Sequence, residues 1–309
     1  MSNNPQRLIG GVEAGGTTFR CAVAQSPQDI LAETTIATRG PEETLEDVIS
    51  FFAKHPSVQA LGIASFGPLN LDLSDPGYGA LADTPKLDWQ GYPLLRRLRE
   101  RLNVPAHLDT DVVAAGMAEY QLGCARGAAS LVYITVGTGI GGAYLINGQP
   151  NPGLKHAEMG HIPVARAPDD DFPGCCPFHG DCLEGMASAS AIFQRWQCPP
   201  EQLPKTHPAW RLEAYYLAGL CLVLMRTLAP HAIVLGGGVL QAPGLIEQVR
   251  DEVYHGLAGY HALSPEDLKR VILKPGLAPD SGLFGSLLLA PGQERETAKQ
   301  AKTVPRTAP

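Results

Sequence analysis

The sequence predicts an α/β protein with two lobes, and three observations support this prediction. The chain has 309 residues, which is long enough for two domains of ordinary size, each with its own core. Each half contains a strand, a turn rich in glycine and threonine, and a second strand, at residues 8–24 and 131–146. A further strand in the second half, at residues 232–235, runs into three consecutive glycines. Paired hairpins of this kind are expected in a protein built from two similar units that bind phosphate.

Composition narrows the class of protein. The hydrophobic content of 44% and the charged content of 18% are typical of a globular protein that folds in water. The net charge of −7 argues against a nucleic-acid partner, which requires a basic face. No apolar run is long enough to span a bilayer, and the N-terminus lacks the pattern of a signal peptide. The seven cysteines are unevenly spread and do not resemble a disulfide framework. We therefore expect a cytoplasmic protein without membrane partners.

The first hairpin contains a candidate phosphate-binding turn. Leu8 to Val12 reads as a buried strand, and Phe19 to Ala24 reads as the returning strand. Paired glycines allow backbone N–H groups to approach a ligand closely, and neighbouring threonine hydroxyls add donors. A Gly-Gly turn that only joins two strands is the alternative. The residues of this turn are Gly15, Gly16, Thr17 and Thr18.

The next segments supply the rest of the first lobe. A helix is predicted from Thr44 to Phe52 and a strand from Leu61 to Ser65. The stretch from Asn70 to Trp89 is rich in Asp, Gly and Pro, so it is either a loop that lines a cleft or a solvated connection. Leu94 to Leu102 predicts an amphipathic helix whose four arginines form a solvated face.

Asp111 lies at a junction between a strand and a helix. A strand at residues 106–108 leads through Asp109 and Thr110 into a helix predicted from Val112 to Leu122. The carboxylate of Asp111 either caps this helix or is available for chemistry, and the sequence leaves both alternatives open.

The second hairpin repeats the design of the first. Strands are predicted from Leu131 to Val136 and from Gly141 to Ile146, with the turn Gly137, Thr138 and Gly139 between them. The string GTGIGG resembles a dinucleotide-binding fingerprint, but a strand follows it where that motif requires a helix, which excludes a Rossmann fold. Later in the chain, the strand at residues 232–235 ends in Gly236, Gly237 and Gly238, where a nucleotide could lie against bare backbone.

A metal site is predicted between residues 156 and 184. Three of its candidate ligands are spaced three residues apart on a run with Pro177 and Gly180, so they can surround one ion. Thiolate and imidazole ligands suit tetrahedral zinc, and four protein ligands indicate a structural site. Buried thiols or a disulfide at Cys175 and Cys176 are the alternatives. The four candidate ligands are His161, Cys176, His179 and Cys182.

Two carboxylates flank these candidate ligands. Glu158 precedes His161, and Glu184 follows Cys182. A metal at this place would fix both acids, which indicates a polar small-molecule site. His156 alone is expected to satisfy a local hydrogen bond.

Further on, helices are predicted at residues 188–196, 210–228, 245–254 and 281–290, with a last strand at 271–273. The tail from Pro291 is charged, contains proline and has few apolar residues, so it is predicted to be disordered.

Taken together, these motifs resemble the fructokinase branch of the ROK family of sugar kinases and repressors. The match extends from about Gly10 to about Ala290. Thr18 stands where that branch usually has lysine, which leaves a lysine contact to phosphate from this turn in doubt. The matching strings are EAGGT at 13–17, SFGP at 65–68, TPK and a tryptophan at 84–89, LDTD at 108–111, GTGIGG at 137–142, HAEMGHI at 156–162, CPFHGDCLEG at 176–185 and LGGGV at 235–239.

The resemblance implies an actin-like ATPase, or ribonuclease H-like, fold with two lobes and a central cleft. The smaller lobe would comprise residues 1–113 and a C-terminal helix at about 281–291, and the larger lobe residues 114–280, followed by a disordered tail at 292–309. Asp111 would be the catalytic base. Glu158, His161 and Glu184 would bind sugar hydroxyls, while the three glycine-containing turns would bind ATP. One ring nitrogen of His161 could bind zinc while the other faces the sugar.

The activity that the resemblance implies is transfer of the γ-phosphoryl group of Mg-ATP to the 6-hydroxyl of D-fructose. Mannose, glucose or N-acetylmannosamine as the acceptor is the nearer alternative. A sugar-responsive regulator is a distant one, because such members carry a helix-turn-helix before the first phosphate turn and only about ten residues precede it here. The position of Asp111 at a helix start predicts that its charged form is favoured. Homodimers are common in the family, although no stretch of the sequence indicates an interface.

Overall fold

The computed structural model describes residues 8–84 and 86–290. The predicted tail at 292–309 therefore lies outside the described residues. Within them, the chain forms two mixed sheets of five strands each, one in each half of the sequence. This arrangement confirms the predicted α/β class. None of the described helices combines the length and the apolar character that a bilayer crossing requires.

The first sheet has the strand order β3-β2-β1-β4-β5, with β2 antiparallel to its neighbours and β1, β4 and β5 parallel. Strand β3 was not predicted, because it is an edge strand whose residues are nearly all exposed or half-buried and give little apolar signal. The strands in chain order are β1 (Leu8–Ala14), β2 (Thr18–Ser26), β3 (Asp29–Ala37), β4 (Val58–Ser65) and β5 (Ala106–Thr110).

The register of the parallel strands places the candidate site residues at one edge. Ala14 lies opposite Ser65, and Ser65 lies opposite Thr110, so β1, β4 and β5 end at the same level. The chain leaves these ends as the first glycine-threonine turn, the segment after Ser65, and Asp111. Ligands of open α/β sheets bind outside the carboxyl ends of parallel strands, which makes this edge one wall of a site.

Two helices, α1 (Pro41–Ala53) and α2 (Leu94–Leu102), pack on one face of the first sheet. Helix α1 begins at a proline with two glutamates in its first turn, as the helix-start chemistry predicts. Leu94, Leu95 and Leu98 of α2 are fully buried, whereas Arg97 and Arg101 pair with glutamates of α1. The predicted solvated face of α2 is therefore confirmed.

The second sheet has the order β10-β9-β6-β7-β8. Its strands are β6 (Ser130–Val136), β7 (Ile140–Ile146), β8 (Gln149–Pro150), β9 (Ala232–Gly236) and β10 (Ile272–Leu273). Its helices are α3 (Asp111–Gln121), α4 (Leu183–Ala187), α5 (Ala189–Trp196), α6 (Ala209–Thr227), α7 (Leu245–Leu257) and α8 (Pro265–Val271). Helix α3 packs on one face of the sheet, and α6 and α7 pack on the other. Thr135 lies opposite Gly236, so β6 and β9 also end level with each other.

The last helix, α9 (Ser281–Leu289), connects the two halves. It packs closely on the first sheet, because a side chain on Gly62 would collide with the Ser286 carbonyl. It also packs closely against α3, because a side chain on Gly285 would collide with the Ala114 carbonyl. The buried carboxylate of Glu119 on α3 accepts a 2.7 Å hydrogen bond from the Ser281 hydroxyl. Helices α3 and α9 thus form the packed junction between the sheets. The lobe boundaries at residues 113 and 280 stay predictions.

Candidate active site

Asp111 is the first residue of α3, and Thr110 is the residue that caps the helix. The Thr110 hydroxyl accepts a hydrogen bond from the Val113 N–H at 3.3 Å. Asp111 Oδ1 accepts one from the Val112 N–H at 2.8 Å. Because the cap is occupied by its neighbour, Asp111 is left to line the cleft.

The pKa of the Asp111 carboxyl moves in the direction opposite to the one predicted. Burial raises the pKa from 3.8 to about 6, and the hydrogen bond from the Val112 N–H only partly opposes this. Nearby Glu158 raises the pKa further, and His156 lowers it. The prediction that the helix start favours the charged form was therefore wrong, because loss of hydration outweighs the helix dipole in an enclosed site. A carboxylate with a pKa of about 6 is a stronger base than an exposed aspartate.

A cavity of about 500 Å³ lies between the edges of the two sheets. Glu13 of β1 and Ser281 of α9 line it from the first sheet, while Thr135 of β6 and Gly238 line it from the second. Asp111 lies between these walls. The cavity therefore has the place and size expected of the central cleft.

Glu13 is a functional candidate that the sequence analysis overlooked. Its side chain is mostly buried, its Oε2 atom has no hydrogen-bond partner among the described residues, and Arg20 Nη1 lies 3.6 Å from that atom. Burial raises the pKa of Glu13 to about 7; Arg20 lowers it and nearby Asp111 raises it. Two carboxylates on one cavity, one with an unsatisfied oxygen, suit a divalent cation. In the sequence, this candidate could have been found as the glutamate with which the EAGGT string begins.

The first glycine-threonine turn is tightly closed. The Gly15 N–H donates to the Thr18 carbonyl at 2.9 Å, and the Gly15 carbonyl accepts from the Thr38 hydroxyl at 2.8 Å. A Cβ atom on Gly15 would lie 2.7 Å from the Thr18 carbonyl oxygen, so only glycine fits there. Thr17 and Thr18 are exposed at the tip.

The second turn is attached to helix α5. The Gly137 N–H donates to the Gly139 carbonyl at 2.9 Å. The Ser190 hydroxyl of α5 donates to the Thr138 carbonyl at 2.8 Å, and the Ala189 N–H donates to the Gly137 carbonyl at 2.8 Å. Because these carbonyls are engaged by the helix, the turn is held at a fixed position.

The three glycines after β9 differ in their surroundings. Gly236 is buried, and a Cβ atom on it would lie 2.8 Å from the Tyr133 hydroxyl. Gly237 has a φ of 94° and would collide with the Val136 carbonyl if it carried a side chain, whereas Gly238 has open space around it. Gly237 and Gly238 line the cavity, and Gly236 does not.

The four predicted metal ligands come together. His161 Nδ1 lies 3.6 Å from Cys176 Sγ and 3.5 Å from Cys182 Sγ. His179 Nδ1 lies 3.7 Å from Cys176 Sγ, and the ligand atoms of all four residues lie within 4.8 Å of one another. A tetrahedral zinc ion with ordinary bond lengths separates its nitrogen and sulfur ligands by about 3.5 Å. All seven cysteines are free, which removes the disulfide alternative.

A tight backbone turn presents these ligands. The N–H of Cys176 donates to the Gly180 carbonyl at 3.1 Å, and the N–H of Gly180 donates back to the Cys176 carbonyl at 2.9 Å. Gly180 has a φ of 66°, a value that glycine adopts easily. A side chain on Gly185 would collide with the Gly180 carbonyl. The glycines of this stretch therefore allow the chain to fold back between its cysteines.

The predicted sugar-binding residues lie next to the metal ligands. His161 directs Nδ1 at the cysteines and has Nε2 3.9 Å from Glu184 Oε1. His156 Nε2 lies 2.9 Å from Glu158 Oε1, but neither ring nitrogen of His156 makes a well-formed hydrogen bond to a described residue. The prediction of a satisfied local histidine was therefore wrong. This mostly buried imidazole has no well-formed hydrogen bond and lies close enough to Asp111 to lower the pKa of that carboxyl, so it is a further candidate for the site.

Known proteins are similar to this chain over nearly its whole length. The profile of the ROK family matches residues 9–293. A Bacillus subtilis (strain 168) protein provisionally named a fructokinase is 41% identical, over 92% of this chain and 95% of its own. A fructokinase of Zymomonas mobilis is 38% identical, over 95% of this chain and 99% of its own.

A solved structure shows the same architecture. The ROK hexokinase of Thermus thermophilus superposes with a TM-score of 0.72 at 26% identity, and the alignment covers 92% of this chain and 97% of that one. This likeness supports the two-lobed fold that the sequence motifs implied.

Proposed function

This chain belongs to the ROK family, with the actin-like fold of its kinases, and on that premise we propose that it is an ATP-dependent fructokinase. It transfers the γ-phosphoryl group of Mg-ATP to the 6-hydroxyl of D-fructose, as an ATP:D-fructose 6-phosphotransferase. Relatives at 41% and 38% identity named as fructokinases support the acceptor. The observation that carries the mechanism is the place of Asp111, whose carboxylate lines a cavity bounded by both sheets.

Asp111 acts as the general base. It accepts the proton of the 6-hydroxyl as that oxygen attacks the γ-phosphorus, and the bond from phosphorus to the ADP oxygen breaks. With a pKa of about 6, the carboxyl is mostly ionised near pH 7.5 and is still basic enough to take a proton. Thr110 and the Val112 N–H fix its position.

The three glycine-containing turns bind the nucleotide. Gly15, Gly16, Thr17 and Thr18 of the first turn, with Gly137, Thr138 and Gly139 of the second, hold the β- and γ-phosphates from two sides. The nucleotide lies along the glycines at 236–238, of which Gly237 and Gly238 face the cavity. Glu13 is the residue that would hold Mg²⁺, through the oxygen that has no hydrogen-bond partner among the described residues, and Asp111 is left to accept the proton. When bound, that ion offsets the charge that develops on the phosphates.

The segment from His156 to Glu184 orients the sugar. Glu158, His161 and Glu184 bind its hydroxyls and so contribute proximity to the base. We also propose structural zinc on His161, Cys176, His179 and Cys182. The approach of Nδ1 of His161 to the cysteines leaves Nε2 for the sugar, and a metal on Nδ1 fixes that tautomer. Closure of the lobes excludes water, which would otherwise compete as the acceptor.

The test is a coupled assay of ADP release with fructose, mannose, glucose and N-acetylmannosamine. We expect the highest kcat/KM with fructose, and phosphorus NMR of the product should show a phosphomonoester on C6. A higher kcat/KM with another hexose would assign that sugar as the acceptor in place of fructose. Absence of ADP release with every hexose would contradict the proposal.

The setting of the proposed enzyme is the cytoplasm, where ATP and free hexose are both present. The expected assembly is a homodimer, since this is common in the family. Gel filtration with light scattering measures the mass of the assembly, and a particle of a single chain would contradict this part of the proposal.

A further inference from the structure

Lys86, the last residue of the Thr-Pro-Lys string, lies beside the first glycine-threonine turn. The Lys86 Cε atom would be 3.4 Å from a Cβ atom placed on Gly16, and no other part of the described chain comes within 4 Å of that position. The end of the lysine stem therefore lies against the turn at Gly16. This contact joins a residue of the long connection after β4 to the turn between β1 and β2.

Trp89 explains how Lys86 reaches this place. Its ring is 2% exposed and packs on Phe19 at 5.4 Å and on Phe66 at 5.7 Å between ring centroids. Its Nε1–H donates to the Arg39 carbonyl at 2.9 Å, and its backbone N–H donates to the Lys86 carbonyl at 2.9 Å. Because Phe19 directly follows the turn on β2, burial of Trp89 fixes Lys86 relative to the turn.

The backbone of Lys86 is also held from its N-terminal side. The Lys86 N–H donates to the hydroxyl of Thr84 at 3.3 Å, and Gln90 Nε2 donates to the Thr84 carbonyl at 3.0 Å. Thr84 itself is 2% exposed. The half-buried lysine therefore projects from an anchored segment.

No described residue forms an ion pair with Lys86. No carboxylate in the described part of the chain lies within 4.0 Å of its ammonium group. By contrast, the guanidinium of Arg20 on β2 forms ion pairs with Glu33 and Asp280 at 2.7 Å each. Thr18 contributes no charge to the turn. An unpaired cation beside backbone N–H groups is an arrangement that suits phosphate oxygens.

We propose that Lys86 is a catalytic residue that donates hydrogen bonds to the γ-phosphate held by the first turn. The inference rests on the proposed kinase function. In this role Lys86 stabilises the negative charge on the γ-phosphoryl oxygens while the bond to ADP breaks and the bond to the sugar oxygen forms. The Thr-Pro-Lys string and the tryptophan after it thus act together, with Trp89 as the anchor and Lys86 as the phosphate contact.

The test compares Lys86→Met and Lys86→Arg with the wild type, and uses Lys54→Met, an exposed lysine of the same lobe, as the matched control. We expect Lys86→Met to lower kcat by about 10²- to 10³-fold, with the calorimetric Kd for fructose unchanged. Lys86→Arg should retain more activity than Lys86→Met, and Lys54→Met should behave as the wild type. Near-ultraviolet circular dichroism checks that the environment of Trp89 is retained.

Nucleotide binding separates this proposal from the proposed function. Lys86→Met should weaken binding of the ATP analogue AMPPNP by at least about tenfold and leave ADP binding unchanged. If no hexose releases ADP with the wild type but this selective loss is seen, the kinase proposal fails and the phosphate contact stands. A Lys86→Met enzyme with wild-type kcat, or one with unchanged AMPPNP affinity, would overturn the assignment of Lys86.

Discussion

Glu184 accepts a hydrogen bond through Oε2 from the backbone N–H of Ile140 at 2.8 Å. This contact joins an acid from the segment with the proposed zinc ligands to strand β7, which follows the second glycine-threonine turn. Its other oxygen, Oε1, lies 3.9 Å from His161 Nε2. A Cβ atom on Gly139 would lie 2.5 Å from Glu184 Oε2, so a side chain at that position would displace this carboxylate. One carboxylate therefore couples the proposed sugar and phosphate sites.

Substitution of Glu184 should affect both substrates. In Glu184→Ala the Ile140 N–H loses its acceptor, and we expect KM to rise at least about tenfold for fructose and several-fold for ATP. Glu184→Gln keeps an acceptor oxygen for Ile140 but loses the charge, so KM should rise for fructose alone. Steady-state kinetics with Glu201→Ala as an exposed control measures the difference. An ATP KM that is unchanged in Glu184→Ala would disprove the coupling.

Asp111→Asn should abolish turnover without loss of sugar binding. Removal of a general base lowers kcat by roughly 10²- to 10⁴-fold, while calorimetry should give a fructose Kd close to that of the wild type. In the wild type, kcat/KM should fall as pH decreases through about 6, the pKa of Asp111, because the protonated carboxyl cannot accept a proton. A variant that turns over at a near-normal rate would remove Asp111 from the mechanism.

Stability should fall as pH rises, measured without nucleotide or magnesium. The pKa values of Asp111 and Glu13 rise from 3.8 and 4.5 to about 6 and about 7 on folding. Folding therefore favours their protonated forms, and this stabilisation is lost between about pH 4 and pH 7. We expect Asp111→Asn to raise the free energy of unfolding at pH 8 by about 3 kcal/mol. Urea denaturation at pH 5 and pH 8 tests this; an Asp111→Asn chain no more stable than the wild type at pH 8 contradicts it.

Zinc removal should disable the sugar site. We expect about one zinc ion per chain in the purified wild type and in Cys198→Ser, and none in Cys182→Ser, as determined by plasma mass spectrometry. Chelation should abolish fructose-dependent ADP release, because His161 loses the metal that fixes its ring. The metal assignment would be refuted if the chelated enzyme kept both its fold and its full activity.

His156 should be required for the sugar site through Glu158. Because its Nε2 lies 2.9 Å from Glu158 Oε1, His156→Ala should free this carboxylate and raise the fructose KM about tenfold, with the ATP KM unchanged. His156→Gln keeps a polar group near Glu158 and should recover part of the loss. The control is His207→Ala, which removes another half-buried histidine, whose ring packs on Trp196. Equal fructose KM values in the two alanine variants would show that His156 has no special role.

The sequence by itself determined the parts of the protein that depend on residues close together in the chain. Three of the four proposed metal ligands are spaced three apart on a glycine-containing turn, and the turn at Gly15 needs glycine because its own backbone closes on itself. These features are local, so spacing and residue type were sufficient to predict them. Strand β3 was missed because an exposed edge strand carries little apolar pattern.

Only the tertiary structure decided what depends on contacts between distant segments. The pKa of Asp111 is set by enclosure between two sheets, which outweighs the local effect of a helix start. The hydrogen bond between Glu184 and Ile140 and the proximity of Lys86 to Gly16 connect segments that are far apart in the chain. The spacing of residues in the sequence predicts neither. Electrostatic energies depend on distance and on exclusion of water, and both are properties of the folded chain.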